Sequence, residues 1–115
     1  MTDLLALAET THRFESRYLD RLVGLLPADA ARYRERSPLT HAGAIRVPVL
    51  VLQGDADKVV PPAQATALVG AVRAAGGVAE SQVYEGEGHG WSRADTVGDA
   101  CERVASFLRR HVPQA

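Results

Sequence analysis

A single cysteine, Cys101, stands in the 115 residues. No disulfide can form within the chain, and the pattern suits a reducing, cytoplasmic compartment. No charge of one sign dominates: 13 Lys and Arg against 14 Asp and Glu give a formal net charge of −1. That leaves no electrostatic footprint for nucleic acid or for an anionic membrane surface. No apolar run approaches the roughly 18 residues of a membrane span. The opening stretch MTDLLALAETTHRFESRY lacks the basic n-region and apolar h-region of a secretory signal. Internal repeats and low-complexity tracts are missing too. Partners expected from composition therefore include neither nucleic acid nor membrane.

What is present is the material of a globular domain, 46% hydrophobic, in a chain long enough to bury about two-thirds of its unfolded surface in one core. The first part, residues 1–44, reads as helical and charged. Leu4, Leu7, Thr11, Phe14, Tyr18, Leu22 and Leu25 recur at steps of three and four, which predicts one face of a helix or of two consecutive helices, interrupted at Gly24 and Pro27. PADAARYRER predicts a short helix with Pro27 in its first turn, ended by SPL because the residue before proline is pushed out of the helical region.

The second part, residues 45–115, alternates strand, helix, strand, helix. IRVPVLVLQG is an unalternating apolar run, the pattern of a strand covered on both faces in a parallel sheet, with Pro48 near its start. Pro61 and Pro62 open a helix carrying Ala65, Leu68, Val69 and Val72 on one side, and AAGG stops it. VAESQVY alternates, as a strand nearer a sheet edge does. SRADTVGDACERVASFLRRH predicts a helix with Thr96 and Asp99 at capping-box spacing, a buried stripe of Val97, Cys101, Val104 and Leu108, and Arg109, Arg110 and His111 at its C-terminal end, where positive charge is favoured. The fold class is thus α/β: a strand–helix–strand–helix unit of a parallel sheet, preceded by helices.

Loops at the carboxyl ends of parallel strands share one rim of the sheet, where open α/β sheets carry their sites. Asp57 lies in the first such loop and His89 in the second. A carboxylate beside an imidazole fixes its tautomer and stabilises its protonated form, so that the ring can take a proton from a hydroxyl and return it to a leaving group. Gly86, Gly88 and Gly90 let the backbone make the tight excursion that projects the ring. Each residue alone has a plainer reading: Asp57 as a turn former in GDAD, His89 as a loop histidine. Together they form a joint signal.

Other residues carry less. Asp55 reads as a turn cap. Glu85 and Glu87 flank His89, but no second histidine or cysteine is near in sequence, so no metal is expected, nor any cofactor. His12, His41 and His111 read as structural or solvated, Cys101 as a core residue, and Trp91 either packs the histidine loop or lines a pocket.

The stretches RYRERSPLTHAGAIRVPVLVLQGDADKVVPPAQA and YEGEGHGW resemble the C-terminal part of the prolyl oligopeptidase family of serine peptidases, which are α/β-hydrolases. The resemblance covers nearly the whole chain, with THRFESRYLDRL matching the segment that precedes the acid-bearing strand. It implies that Asp57 is the triad acid and His89 the triad base, in the family order Ser, Asp, His. It also implies a division into a helical connecting segment, 1–44, and an acid- and histidine-bearing core, 45–115.

The departure is the nucleophile. Ser16, Ser37, Ser81, Ser92 and Ser106 all lie outside any G-x-S-x-G turn. The oxyanion donors that accompany that turn are missing with it, and the expectation is a fragment whose parent cleaves peptides. The alternatives are an esterase or dienelactone-hydrolase-like enzyme on the same rim, or a non-catalytic interaction module that kept the fold. A missing neighbouring strand would leave an exposed sheet edge open to self-association.

Overall fold

The structure, a computed structural model, describes residues 1–10 and 18–113. Thr11, His12, Phe14 and Ser16, singled out above, lie outside the described residues. The elements in chain order are α1 (Leu4–Thr10), α2 (Tyr18–Leu22), α3 (Ala30–Glu35), a 3-10 helix (Pro38–Ala44), β1 (Val49–Gly54), α4 (Ala63–Ala74), β2 (Ala79–Tyr84) and α5 (Ala94–His111).

β1 and β2 pair in parallel, in a register that runs from Val49 opposite Ala79 to Gly54 opposite Tyr84. The strands end level, so the loops that follow leave the sheet at the same height. β1 starts just after Pro48, which has no N–H to offer, and its first amide, Val49, donates to the Val78 carbonyl at 3.0 Å. α4 crosses between the strands. It starts after Pro61 and Pro62 and ends where Gly76 adopts φ +85, with the Gly76 and Gly77 amides donating back to Arg73 and Val72. Ala65, Val69 and Val72 are buried on its inner side, as the spacing predicts.

Two apolar clusters result. Leu4, Leu7, Leu19, Val23 and Tyr33 form one among the leading helices. Ala42, Val69, Val72 and Ala79 form the other, with Ile45, Val49, Val51 and Leu68 against it. A polar latch joins the two regions: Gln64 Oε1 accepts from the Thr2 and Asp3 amides at 2.6 and 2.7 Å, and Gln64 Nε2 donates to the Asp3 carbonyl at 2.8 Å.

Several expectations are corrected. Tyr18, Leu22 and Leu25 are exposed, and Leu19 and Val23 are buried instead. The predicted stripe carried one helical phase from Leu4 to Leu25, whereas α2 turns its own face toward Tyr33. Pro27 lies ahead of α3 rather than in its first turn. Asp29 closes the preceding turn, with its amide on the Leu25 carbonyl and its Oδ2 on the Leu25 amide, and α3 starts only after it. The 3-10 helix, which presents Ala42 to α4, was not foreseen.

The largest correction concerns α5. Val97, Val104 and Leu108 are 43%, 41% and 48% exposed, and Cys101 is an exposed free thiol, not a core residue. Thr96 and Ala100 are the buried positions. Polar anchors set the rotation of the helix: Tyr84 Oη donates to Asp99 Oδ2 at 2.7 Å, Arg103 Nε donates to the same oxygen at 2.6 Å, and Arg110 donates to Glu80 at 3.0 Å. The bonds from Tyr84 and Glu80 tie α5 to β2 through Asp99 and Arg110, which stay at the exposed margin; Thr96 and Ala100 face inward, and the apolar stripe lies on a shoulder. The capping box does not form, because Arg93 is the N-cap and Asp99 is engaged by Tyr84 and Arg103.

β1 is half-buried from Val49 to Leu52 rather than covered on both faces. Among the described residues the sheet has β1 and β2 alone. The Val49 and Asp55 amides both donate toward β2, to Val78 and Tyr84. Backbone groups alternate sides along a strand, so the N–H and C=O of Leu50 and Leu52 face the other, open edge.

Candidate acid–base site

Level strand ends place Asp57 and His89 on one rim, although 32 positions separate them, and His89 Nδ1 lies 2.9 Å from Asp57 Oδ2. The two loops are stitched together by their backbones. The Asp55 amide donates to the Tyr84 carbonyl at 3.1 Å, the Ala56 amide to the Glu87 carbonyl at 2.9 Å, and the Gly86 amide to Asp55 Oδ1 at 2.7 Å. Asp55 thus does cap a turn, but the turn belongs to the opposite loop.

Asp57 fills both of its readings. Its Oδ1 accepts from the Val59 and Val60 amides at 2.9 and 2.8 Å, the local turn that Asp favours. Its Oδ2 accepts from Gln53 Nε2 at 3.2 Å and faces His89. Burial pushes the carboxyl up, but the Val60 amide, His89 and the Val59 amide together outweigh it and hold Asp57 below the usual carboxylate range. An ionised carboxylate has no proton to give, so Nδ1 carries the hydrogen and donates it; in the neutral ring Nε2 then keeps its lone pair. The asymmetry of burial suits this: the Asp57 side chain is 6% exposed and that of His89 58%.

A cleft of about 400 Å³ opens beside the pair, lined by Met1, Leu52, Gln53, Val60, Gly90 and Trp91 among others. Trp91 both lines this cleft and packs the loop, edge-on to Tyr84 with ring centroids 5.0 Å apart. The other described histidines have other contacts. His41 Nε2 is 2.6 Å from the Glu35 carbonyl, and the His111 ring packs on Phe107 with Nε2 3.5 Å from Glu80. No group of three His, Cys, Asp or Glu that could hold a metal ion occurs among the described residues.

Two site residues escaped the sequence reading. Gln53 is buried and donates from Nε2 to the Gly54 and Val60 carbonyls as well as to Asp57. The signal available was a lone amide ending an apolar strand. Glu87 reads in sequence only as a carboxylate flanking His89. Its side chain is almost fully buried, with Oε1 accepting from Ser92 Oγ at 2.7 Å and Oε2 from the Ser92 and Arg93 amides at 3.0 and 3.3 Å. The Ser92 bond comes first among the influences that hold its carboxyl below the usual range.

Known proteins resemble this chain. A puromycin-hydrolyzing peptidase of Mycobacterium tuberculosis superposes with a TM-score of 0.94 at 40% identity over the whole chain, which corresponds to 18% of that structure. A puromycin hydrolase superposes at 0.84 with 44% identity over 93% of the chain and 16% of its own. A putative carboxymethylenebutenolidase of Methylorubrum extorquens is 30% identical over 95 residues, 76% of this chain and 33% of that protein. The chain therefore spans about a third of the curated relative and less than a fifth of the peptidase structures. The profile described as the prolyl oligopeptidase family matches residues 1–114. With an α/β-hydrolase rim that brings an aspartate and a histidine together, and with that match along nearly its whole length, the chain belongs to the prolyl oligopeptidase family.

Proposed function

We propose that this chain supplies the acid and base of a Ser–Asp–His peptidase, with Asp57 as the acid and His89 as the base. The observation that carries the reading is the 2.9 Å contact between Asp57 and His89 at the ends of adjacent parallel strands. His89 Nε2 takes the proton of a serine hydroxyl as that oxygen attacks the scissile carbonyl. It then passes the proton to the departing amine, while Asp57 holds the ring and balances its positive charge. The nucleophile and the oxyanion donors come from outside these 115 residues. Ser92, the serine nearest His89 in sequence, already donates its hydroxyl to Glu87.

In this reading residues 1–44 are a connecting segment and 45–115 the part that bears acid and base, in a cytoplasmic protein that acts on peptides. The names of the related structures make puromycin the first substrate to try. The name of the Methylorubrum extorquens relative favours a second reading, hydrolysis of a butenolide on the same rim.

The 115-residue chain is expected to resist labelling by a fluorophosphonate probe and to turn over neither substrate. Joined to a serine-bearing α/β-hydrolase portion from a relative, it gains turnover that falls at least about a thousandfold in H89A. Restored activity that survives H89A refutes the assignment. The ratio of puromycin to butenolide hydrolysis chooses between the two readings.

A further inference from the structure

Glu87 is the buried acid that the acid–base pair does not use. Its carboxylate turns back across five and six positions to the Ser92 hydroxyl and to the Ser92 and Arg93 amides. Those are the last residues before α5, so the bonds close residues 87–92 into a ring anchored on that helix. The main chain of Glu87 faces the other way, its carbonyl accepting the Ala56 amide from the loop that carries Asp57. His89 sits at the apex of this ring, between Gly88 and Gly90, which bridge to each other. Gly90 adopts φ +129, a conformation without Cβ contacts to hold it in place. With a glycine on each side, the apex has little stiffness of its own, and its position relative to Asp57 is set at the base of the ring.

We propose that Glu87 is a positioning residue for His89: by tying Ser92 and Arg93 to the Asp57 loop, it holds the imidazole where Nδ1 meets Asp57. This rests on the Asp57–His89 reading above and adds to it the group that enforces the geometry. Hydrogen-bond acceptance performs the task. An amide at this position, with its oxygen toward the two backbone N–H groups and its nitrogen toward Ser92 Oγ, can keep the ring closed.

The test is the tautomer of His89, read from imidazole ¹⁵N shifts of the labelled chain at pH 8, in wild type, E87A, E87Q and D57N. Wild type is expected to hold Nδ1–H, and D57N to lose it. In E87A the ratio of the Nδ1–H to the Nε2–H form falls at least about tenfold, the loss expected when a charge-assisted bond is no longer enforced. E87Q stays within about twofold of wild type. Failure of wild type to show Nδ1–H overturns the Asp57–His89 reading and this inference with it. With wild type as expected, an unchanged ratio in E87A, or an equal loss in E87Q, overturns the inference alone. If E87A does not fold, S92A decides in its place, since it removes one bond and leaves the carboxylate its two amides. A two- to threefold fall in the ratio, about the worth of one weak bond, supports the role, and an unchanged ratio refutes it.

Discussion

Gly54 and the Glu87 carbonyl oxygen lie so close that a β-carbon on Gly54 would overlap it, and would overlap the Gly88 carbonyl as well. The last residue of β1 is thus packed directly against the backbone of the loop that carries His89. Neither side is a flexible side chain that could swing away. G54A is expected to destabilise the chain by about 1–3 kcal/mol through overpacking and to push His89 off Asp57. G98A, in the interior of α5 with open space around it, is expected to stabilise by about 0.5–1 kcal/mol. Urea unfolding of the two variants beside wild type checks both signs.

The depressed Asp57 pKa has a definite signature in acid. A carboxyl that is more acidic when folded stabilises the fold above its unfolded pKa, about 3.9. That stability is lost as pH falls through the lower, folded value. The urea midpoint of wild type should therefore drop more steeply below pH 4 than that of D57N. Parallel curves for the two proteins would contradict the origin assigned to the shift.

Gln64 is expected to control the docking of the first helix. Q64A leaves the Thr2 and Asp3 amides and the Asp3 carbonyl without their partner, at a cost of about 2 kcal/mol. Hydrogen exchange at Thr2 and Asp3 should accelerate, while the amides of β1 and β2 keep their relative protection. Uniform acceleration across the chain would mean that the latch is no separate unit.

Cys101 should react with Ellman's reagent in the native state as fast as in urea, because α5 turns it to solvent. A thiol that becomes reactive only on unfolding would restore the buried stripe that the sequence pattern suggested.

β1 leaves one backbone edge open, and α5 exposes Val97, Val104 and Leu108; either feature invites pairing between chains. We expect self-association of this chain, seen by light scattering as a mass that rises between micromolar and millimolar concentration. A constant monomer mass over that range refutes it.

The local chemistry of the chain was enough to bound β1, α4, β2 and α5 and to put Asp57 and His89 in the loops after the two strands. Prolines at 48, 61 and 62 and glycines at 76 and 77 bound β1 and α4 because φ restriction, a missing donor and left-handed freedom act within a few residues. The unalternating run after Pro48 and the strand–helix–strand order were enough to put Asp57 and His89 on one rim. Tertiary structure decided what depends on bonds between distant segments. The rotation of α5, and with it the exposure of Val97, Cys101, Val104 and Leu108, follows from Tyr84, Glu80 and Glu87 reaching across to it. An apolar period says which residues share a face but not which way that face turns. The same limit hid Gln53, Gln64 and Glu87. A polar side chain shows in sequence as a polar side chain, and only the fold decides whether it meets water or closes a buried network.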